Sequence, residues 1–224
     1  MTHNDYIFSI KDGKFHFIRH FDDMYRNCVD PHGQSRELDR LDYQFVSLLV
    51  NRCVEIIRTN GREPRILDVG CGHGRFTFHM RQNFPIADVS GCDISPAALA
   101  KARDYARGCA FFEMDLKAPP SSNEPYDLLV ALHVLYYFTD QEIRDVLHNL
   151  YTLLVPGGFL LVGYHLPQKM NFGRYIRNLI DARSLFEAHG FTMRFEMDVT
   201  DVLDMTYANE PVGRSLYFLV QRAP

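Results

Sequence analysis

Ile66-Leu-Asp-Val-Gly-Cys-Gly-His-Gly74 joins a short apolar run to a glycine-rich turn, and this stretch decides the class of fold. Glycines permit positive φ angles and let the backbone approach a ligand closely. In an open α/β sheet, ligands bind at the carboxyl ends of the strands, where such a turn follows the first strand. The stretch therefore predicts the first strand and the ligand-binding turn of an α/β domain.

Strand-like and helix-like patterns alternate after this turn. Apolar runs predict strands at 65–69, 87–92, 110–114, 126–131, 159–164, 192–197 and 215–221. Helices are predicted at about 38–58, 75–83, 96–107, 140–154 and 183–189. This alternation indicates a mostly parallel sheet with helices on both faces. Because only an irregular stretch separates the last two strands, the last strand is predicted to be antiparallel.

Local signals mark several element boundaries. Ser95 is predicted as the N-cap of a helix whose first residue is Pro96. Thr139 and Glu142 have the spacing of a capping box. Pro156-Gly157-Gly158 predicts a turn into the fifth strand.

Carboxylates stand at the ends of three consecutive predicted strands, at Asp68, Asp93 and Asp115. A carboxylate before the glycine turn repels a pyrophosphate but attracts an ammonium or a sulfonium group. Arg75 also occupies the position where a dinucleotide-binding pattern needs a small residue. Asp93 is placed to accept from ribose hydroxyls, and Asp115 from an adenine amino group. The ligand indicated is a nucleoside that carries an amino acid.

Five stretches resemble, in order, the motifs of class I S-adenosylmethionine-dependent methyltransferases: 67–74, 91–96, 114–116, 126–135 and 154–158. The resemblance implies a doubly wound, mostly parallel seven-stranded α/β sheet with an antiparallel last strand. It implies S-adenosylmethionine as cofactor and S-adenosylhomocysteine as product. Asp68 and Gly70–Gly72 are then expected at the methionine part, Asp93 at the ribose, and Asp115 with Leu116 at the adenine. The full set of expected cofactor contacts is Asp68, Gly70, Cys71, Gly72, Arg75, Asp93, Ile94, Asp115, Leu116, Ala131 and His133.

Candidate catalytic residues follow the fourth and fifth predicted strands. Methyl transfer is an in-line displacement in which alignment does most of the work. A base is needed only for a hydroxyl or a protonated amine, and no metal is required. His133 either shapes the cofactor pocket or acts as a base. His165 is the better base candidate, the alternative being a solvated loop histidine. Tyr136 is a third candidate, with core packing as its alternative.

Two segments are candidates for covering the site. Residues 1–40 are predicted to form an N-terminal lid or appendage, and residues 41–224 the methyltransferase domain. Tyr25-Arg-Asn-Cys-Val-Asp-Pro-His-Gly33 is similar to a segment of nodulation-type and related small-molecule methyltransferases. The basic stretch 166–181 is either a solvated face or a clamp for an anionic acceptor. The expected acceptor contacts are Tyr25, His32, Tyr137, Tyr164, His165 and Arg174.

Composition narrows the possible partners. The 224 residues are 46% hydrophobic and carry a net charge of −4, so there is no bulk attraction to nucleic acid or to anionic membranes. Five cysteines without a Cys-x-x-Cys pair indicate free thiols in a reducing cytoplasm rather than disulfides or a zinc site. With neither a signal-like N-terminus nor a run of about 20 apolar residues, we expect a soluble cytoplasmic protein without a membrane partner.

The predicted acceptor is a small molecule methylated on oxygen or nitrogen. Ala131-Leu-His-Val134 stands where many enzymes that methylate amino groups of DNA or glutamine carry Asn/Asp-Pro-Pro-Tyr/Phe. Two alternatives remain open, methylation of a tRNA base or protein side chain, and a non-catalytic regulatory module that binds S-adenosylmethionine. A nicotinamide-dependent reductase ranks below both because of Asp68 and Arg75. We expect no nucleic-acid partner, and a monomer or a homodimer.

Overall fold

The computed structural model describes residues 3–11, 14–59, 61–120, 124–166, 175–200 and 214–224. Its strands are β1 Phe8–Lys11, β2 Lys14–Phe17, β3 Arg65–Val69, β4 Asp88–Asp93, β5 Ala110–Glu113, β6 Tyr126–Leu132, β7 Leu154–Leu166, β8 Phe191–Thr200 and β9 Arg214–Arg222. Its α-helices are α1 Phe21–Asn27, α2 Leu41–Thr59, α3 Arg75–Asn83, α4 Pro96–Tyr105, α5 Glu142–Leu153 and α6 Leu179–Ala188. No helix within these ranges is both long enough and apolar enough to cross a bilayer.

The main sheet has seven strands in the order β5-β4-β3-β6-β7-β9-β8. Strands β3 to β7 pair in parallel, whereas β9 is antiparallel to both β7 and β8. The predicted fold class is therefore confirmed, including the antiparallel last strand. Because β3 pairs with β4 on one side and β6 on the other, the strand order reverses there, and a crevice is expected at the carboxyl ends of these strands.

Helices cover both faces of the sheet, as the apolar runs predicted. Successive residues of a strand point to opposite faces, so a strand buried on both sides must be apolar throughout. One face packs on α5 and α6 and includes Leu67, Leu129, Leu160, Val146, Leu150 and Phe186. The other face packs on α2 and α3 and includes Ile66, Leu128, Leu161, Val46, Val50 and Phe76.

The predicted caps at the starts of α4 and α5 are confirmed. The Ser95 hydroxyl accepts from the amide of Ala98 at 3.1 Å, and Pro96 is the first residue of α4. The amide of Thr139 donates to the Glu142 carboxylate at 2.9 Å, while the amide of Glu142 donates to the Thr139 hydroxyl at 3.3 Å. These reciprocal bonds satisfy amides that have no partner within the helix.

Other boundaries differ from the prediction. Helix α6 begins at Leu179 rather than near 183, because the Asn178 side chain accepts from the amide of Asp181 at 2.9 Å and caps the helix there. Strand β7 begins at Leu154 and contains the predicted Pro-Gly-Gly turn (156–158) as an irregularity, where its register with β6 shifts.

The N-terminal elements were not predicted. Strands β1 and β2 pair antiparallel as a separate two-stranded sheet, and α1 follows them. The helix predicted from position 38 begins at Leu41, after a 3-10 turn at Gln34–Asp39. Stretches 167–174 and 201–213 lie outside the described residues.

Gly74 provides a test of packing at the start of α3. Its φ is +71°, and an added Cβ would lie 2.9 Å from both the Ala102 Cβ and the Phe111 Cζ. We expect Gly74→Ala to lower the free energy of unfolding by roughly 2–5 kcal/mol, about 1–2 from the left-handed backbone and about 1–3 from overpacking. Urea denaturation measures this loss.

Gly61→Ala is the matched control, because Gly61 has a φ of +76° and an added Cβ would meet no atom of the described chain within 4 Å. Only the backbone cost of about 1–2 kcal/mol applies there. Equal losses in the two variants would contradict the assignment of a packing role to Gly74.

Candidate active site

A cavity of about 330 Å³ opens at the carboxyl ends of β3 to β6, at the predicted crevice. Its walls come from the glycine turn after β3, the ends of β4 and β5, the segment after β6 and the N-terminal segment. This volume lies at the lower end of the range typical of small-molecule sites. Of the predicted site residues, it is lined by Tyr25, His32, Gly70, Asp93, Ile94, Asp115, Leu116, His133, Tyr136, Tyr137 and His165.

The amides of the glycine turn are engaged within the protein. Those of Gly70 and Cys71 donate to the Cys92 carbonyl at 2.8 and 2.9 Å. The amide of Gly72 donates to the Asp93 carboxylate at 2.9 Å, and that of Gly74 to the Cys71 carbonyl at 2.9 Å. The amide of His73, which lies between Gly72 and Gly74, donates to the side-chain oxygen of Gln34 at 2.9 Å. Phosphate-binding turns direct such amides at the anion, so this turn is not arranged as a pyrophosphate cradle.

Asp93 ends β4 and joins the turn to the next helix. One carboxylate oxygen accepts from the amide of Gly72 and the other from the amide of Ser95, each at 2.9 Å. Burial raises the pKa of Asp93, while these backbone hydrogen bonds act in the opposite direction. Each carboxylate oxygen can accept more than one hydrogen bond. Asp93 can therefore also accept from a ligand hydroxyl in the cavity that it lines.

The wall beyond β5 comes from Met114, Asp115 and Leu116. Asp115 is half-buried, and one of its oxygens accepts from the amide of Lys117 at 3.0 Å. The Leu116 carbonyl accepts from the Asn149 side chain of α5 at 2.8 Å, which holds this segment against the domain. A carboxylate beside an apolar side chain suits a flat ring that carries an amino group.

Asp68 lies behind the glycine turn and not on the cavity wall. Its side chain is only 4% exposed, and it accepts from the Thr77 hydroxyl of α3 at 2.6 Å. Burial, and secondarily the charge of Asp93, raise the pKa of Asp68 to about 7. The turn therefore separates Asp68 from the cavity, and its predicted contact with the cofactor stays a prediction.

Several other predicted residues surround the cavity without lining it. Cys71 and Ala131 are buried beneath the wall. The space beside Gly72 is filled by Gln34 and Tyr25. The Arg75 guanidinium lies 4.4 Å from the centre of the Tyr105 ring, outside the cavity.

Tyr164 and Arg174 complete the predicted acceptor set. Tyr164 is buried below Tyr136, with ring centroids 6.1 Å apart, so it supports the wall instead of forming it. Arg174 lies outside the described residues. The hydroxyl of Tyr136 donates to that of Tyr137 at 2.8 Å, and both tyrosines line the cavity.

His133 is held in an unusual backbone conformation where β6 ends. Its φ is +58°, and its amide donates to the Gly163 carbonyl at 2.7 Å. Non-glycine residues seldom adopt this conformation, and such residues cluster at functional sites. Nδ1 of His133 is buried and has no hydrogen-bond partner within the described chain.

Burial makes the His133 ring a weak base. Together with the nearby positive charges of His165 and Arg40, burial lowers the pKa of His133 to about 3. The two histidine rings are 6.4 Å apart, and Nδ1 of His165 lies 3.5 Å from the Ser215 hydroxyl. The cavity therefore carries a histidine pair on the side opposite the carboxylates.

The sequence interpretation missed Asp42 and Tyr217 beside His133. The Tyr217 hydroxyl donates to the Asp42 carboxylate at 2.5 Å and lies 3.4 Å from Nε2 of His133. Arg40 donates two hydrogen bonds to the same carboxylate, at 3.0 and 2.8 Å. One signal was available: an antiparallel β9 starts at the edge where the parallel strands end, which places polar Ser215 and Tyr217 near the site.

Part of this sequence is similar to known proteins. Residues 66–158 match a family model described as a methyltransferase domain, and this range contains the turn, both strand-end carboxylates and His133. Residues 66–158 therefore resemble a methyltransferase domain. Against trans-aconitate 2-methyltransferase of Variovorax paradoxus it is 34% identical over 98 residues, or 44% of this chain and 37% of the relative. The chain thus matches little more than a third of the length of that relative.

Two solved structures share the fold of this chain. Magnesium protoporphyrin IX methyltransferase from Synechocystis PCC 6803, with bound SAM, has a TM-score of 0.60 and 19% identity, covering 86% of this chain and 85% of that chain. The cyclase SpnF has a TM-score of 0.59 and 18% identity, covering 72% of this chain and 75% of that chain. At these identities the likeness shows the fold, and the reaction must be argued from the site.

The low pKa of His133 makes stability depend on pH. The unfolded ring titrates near pH 6.5 and the folded ring near 3, so below pH 6.5 the unfolded state binds more protons and stability falls. Asparagine tolerates a positive φ, so His133→Asn can keep the backbone conformation. Between pH 7 and pH 5, we expect the free energy of unfolding of this variant to fall by roughly 2 kcal/mol less than that of wild type. Denaturant titrations at the two pH values measure this difference.

Carboxylates and other histidines titrate in both proteins, so the comparison isolates position 133. The same loss in wild type and variant would show that His133 protonates as readily when folded as when unfolded.

Proposed function

We propose that this chain transfers the methyl group of S-adenosylmethionine to an oxygen or nitrogen atom of a small molecule, leaving S-adenosylhomocysteine. One observation carries the proposal: a single cavity joins the carboxylates of Asp93 and Asp115 to the histidine pair of His133 and His165. The first pair suits the nucleoside of the cofactor and the second suits a nucleophile that must lose a proton.

The cofactor side of the cavity fits a nucleoside without phosphates. Asp93 would accept from the ribose hydroxyls, and Asp115 with Leu116 would hold the adenine ring. Gly70 and the turn after it would meet the methionine part, with Asp68 buried behind them. Because the turn amides already donate to protein acceptors, a dinucleotide pyrophosphate would find a poor site. When bound, the cofactor supplies an activated methyl group.

The N-terminal segment would act as the cover of the site. Asp22 accepts from the Ser95 hydroxyl at 3.1 Å and from the amide of Ala97 at 2.8 Å, which fastens α1 to the start of α4. Across the cavity, Arg19 donates two hydrogen bonds to Glu142, at 2.8 and 2.6 Å. A cover fastened on both sides would exclude water during transfer. We therefore propose that residues 1–40 form a lid over a methyltransferase domain at 41–224.

The size of the cavity supports a small acceptor. A volume of about 330 Å³ under a fastened cover gives little room for a macromolecular chain. Tyr25, His32 and Tyr137 would form the acceptor walls, with ring centroids of Tyr25 and His32 5.9 Å apart and those of His32 and Tyr137 6.5 Å apart. Two similar proteins are named after trans-aconitate and magnesium protoporphyrin IX, which are also small molecules.

Cofactor binding provides the first test. We expect Asp93→Asn to weaken binding of S-adenosylhomocysteine roughly tenfold to a hundredfold, because losing hydrogen bonds to a charged group costs about 1.5–3 kcal/mol. Isothermal titration calorimetry measures the affinity. Asp88→Asn is the matched control, since Asp88 is exposed at the other end of β4 and pairs with Arg65 on the surface.

Unchanged affinity in Asp93→Asn would remove the ribose assignment. Tighter binding of NADH than of S-adenosylhomocysteine by wild type would favour a nicotinamide-dependent enzyme instead.

Methyl transfer provides the second test. Wild-type protein, methyl-labelled cofactor and fractionated small metabolites should yield a labelled product. We expect His165→Ala to bind S-adenosylhomocysteine with wild-type affinity but to slow transfer roughly a hundredfold, the lower range for loss of a general base. His148→Ala, on the exposed face of α5, is the control and should transfer normally.

Normal turnover in His165→Ala would remove the base assignment. Tight cofactor binding by wild type without transfer to any fraction would favour a non-catalytic binding module.

A further inference from the structure

Three distant segments meet at the hydroxyl of Tyr217. This residue lies in β9, Asp42 in the first turn of α2 and His133 after β6. The hydroxyl is 2.5 Å from the Asp42 carboxylate and 3.4 Å from Nε2 of His133. Asp42 also accepts from the amide of Tyr43 at 3.0 Å and from two nitrogens of Arg40. Asp42 and Tyr217 are both buried, so water does not compete strongly for these bonds.

The hydrogen atoms in this array can be assigned from its chemistry. Burial would raise the pKa of Asp42, but hydrogen bonds from Arg40 and Tyr217 and the charge of Arg40 outweigh it, and the net shift is downward. A carboxylate only accepts, so Tyr217 must donate its single hydroxyl hydrogen to Asp42. Toward His133, the Tyr217 oxygen can then act only as an acceptor, so Nε2 of His133 must carry the hydrogen. In a neutral imidazole, a hydrogen on Nε2 leaves a lone pair on Nδ1.

We infer that the Asp42–Tyr217 pair fixes the tautomer of His133, so that Nδ1 offers its lone pair to the reacting O–H or N–H group of the acceptor. The inference rests on the proposed function, and it makes Asp42 and Tyr217 positioning residues. Nδ1 of His133 is buried and lacks a partner in the described chain, while the ring lines the cavity. A buried hydrogen-bond acceptor without a partner is costly and requires an explanation. The O–H or N–H hydrogen of the bound methyl acceptor would be the partner of Nδ1.

A weakly basic ring is sufficient for this role. Before transfer, Nδ1 of His133 only has to accept a hydrogen bond, which points a lone pair of the nucleophile at the methyl group. As the nucleophile forms its new bond to carbon, its hydrogen becomes much more acidic, and the proton passes to Nδ1 of His133 and then, by way of the neighbouring His165 as the proposed base, to solvent. The bond between sulfur and the methyl carbon breaks, and its electron pair stays on the sulfur, which becomes neutral, so charge and atoms balance.

The tautomer can be measured without turnover. In ¹⁵N-labelled wild-type protein near pH 7, long-range ¹H–¹⁵N NMR should show Nε2 of His133 with a hydrogen and Nδ1 without one, the signals being assigned by their loss in His133→Asn. In Tyr217→Phe the ring should populate both tautomers. Turnover should fall roughly tenfold or more, with S-adenosylhomocysteine affinity unchanged. Tyr151→Phe is the control, because it removes the hydroxyl of a ring that packs against Phe191 away from the cavity. It should change neither the tautomer of His133 nor the turnover.

Asp42→Asn gives an independent and opposite outcome. Its amide oxygen should replace the carboxylate oxygen that accepts from the amide of Tyr43 and from Nε of Arg40, so its NH₂ group faces Tyr217, donates to it and displaces Nη2 of Arg40. The Tyr217 hydrogen must then point to His133, which reverses the tautomer and places a hydrogen on Nδ1. We expect Nδ1 to be protonated in this variant and transfer to fall at least as far as in Tyr217→Phe.

The inference is overturned if wild-type His133 carries its hydrogen on Nδ1, or if both variants keep the wild-type tautomer. It is also overturned if the tautomer changes as expected while turnover stays at the wild-type level. Failure of the proposed function looks different, because wild type would then show the expected tautomer without labelling any small molecule.

Discussion

The Asp93 carboxylate connects the parts of the molecule that surround the cofactor side of the cavity. It accepts from the glycine turn after β3 and from the amide of Ser95, which itself caps α4. The Ser95 hydroxyl donates to Asp22 of the N-terminal segment, and the Gln34 side chain of the same segment returns to the turn by accepting from the amide of His73. These bonds form a closed circuit, so a ligand on Asp93 would affect both the turn and the cover.

Features that depend on a few neighbouring residues could be predicted from the sequence. Ser95 with Pro96 and Thr139 with Glu142 are caps whose chemistry lies within four residues, and both are confirmed. The alternation of apolar runs likewise predicted the sheet and its antiparallel last strand. Asp93 and Asp115 reached the cavity because each directly follows a predicted strand, and the carboxyl ends of parallel strands share one edge.

Features that depend on distant contacts could not be predicted in this way. Asp42 and Tyr217 are 175 positions apart, and no local pattern pairs them. The burial of Asp68 behind the glycine turn could not be predicted for a related reason. A residue inside a strand points to one face or the other, and the Thr77 hydroxyl of α3 receives its carboxylate behind the turn. The cover was recognisable as a segment, yet its attachments, such as Arg19 to Glu142, join residues more than 100 positions apart.

Burial shifts the pKa values at the two ends of the cavity in opposite directions. Burial favours the uncharged form of every titratable group, and it raises the pKa of Asp93 while lowering that of His133. The backbone amides of Gly72 and Ser95 donate to Asp93, so it can remain a carboxylate. His133 receives no such compensation at Nδ1 and stays neutral. A cationic cofactor beside the carboxylates and a neutral histidine beside the acceptor are therefore mutually consistent. Since proteins with different reactions share this fold, side chains at the strand ends, and not the sheet, must decide which reaction occurs.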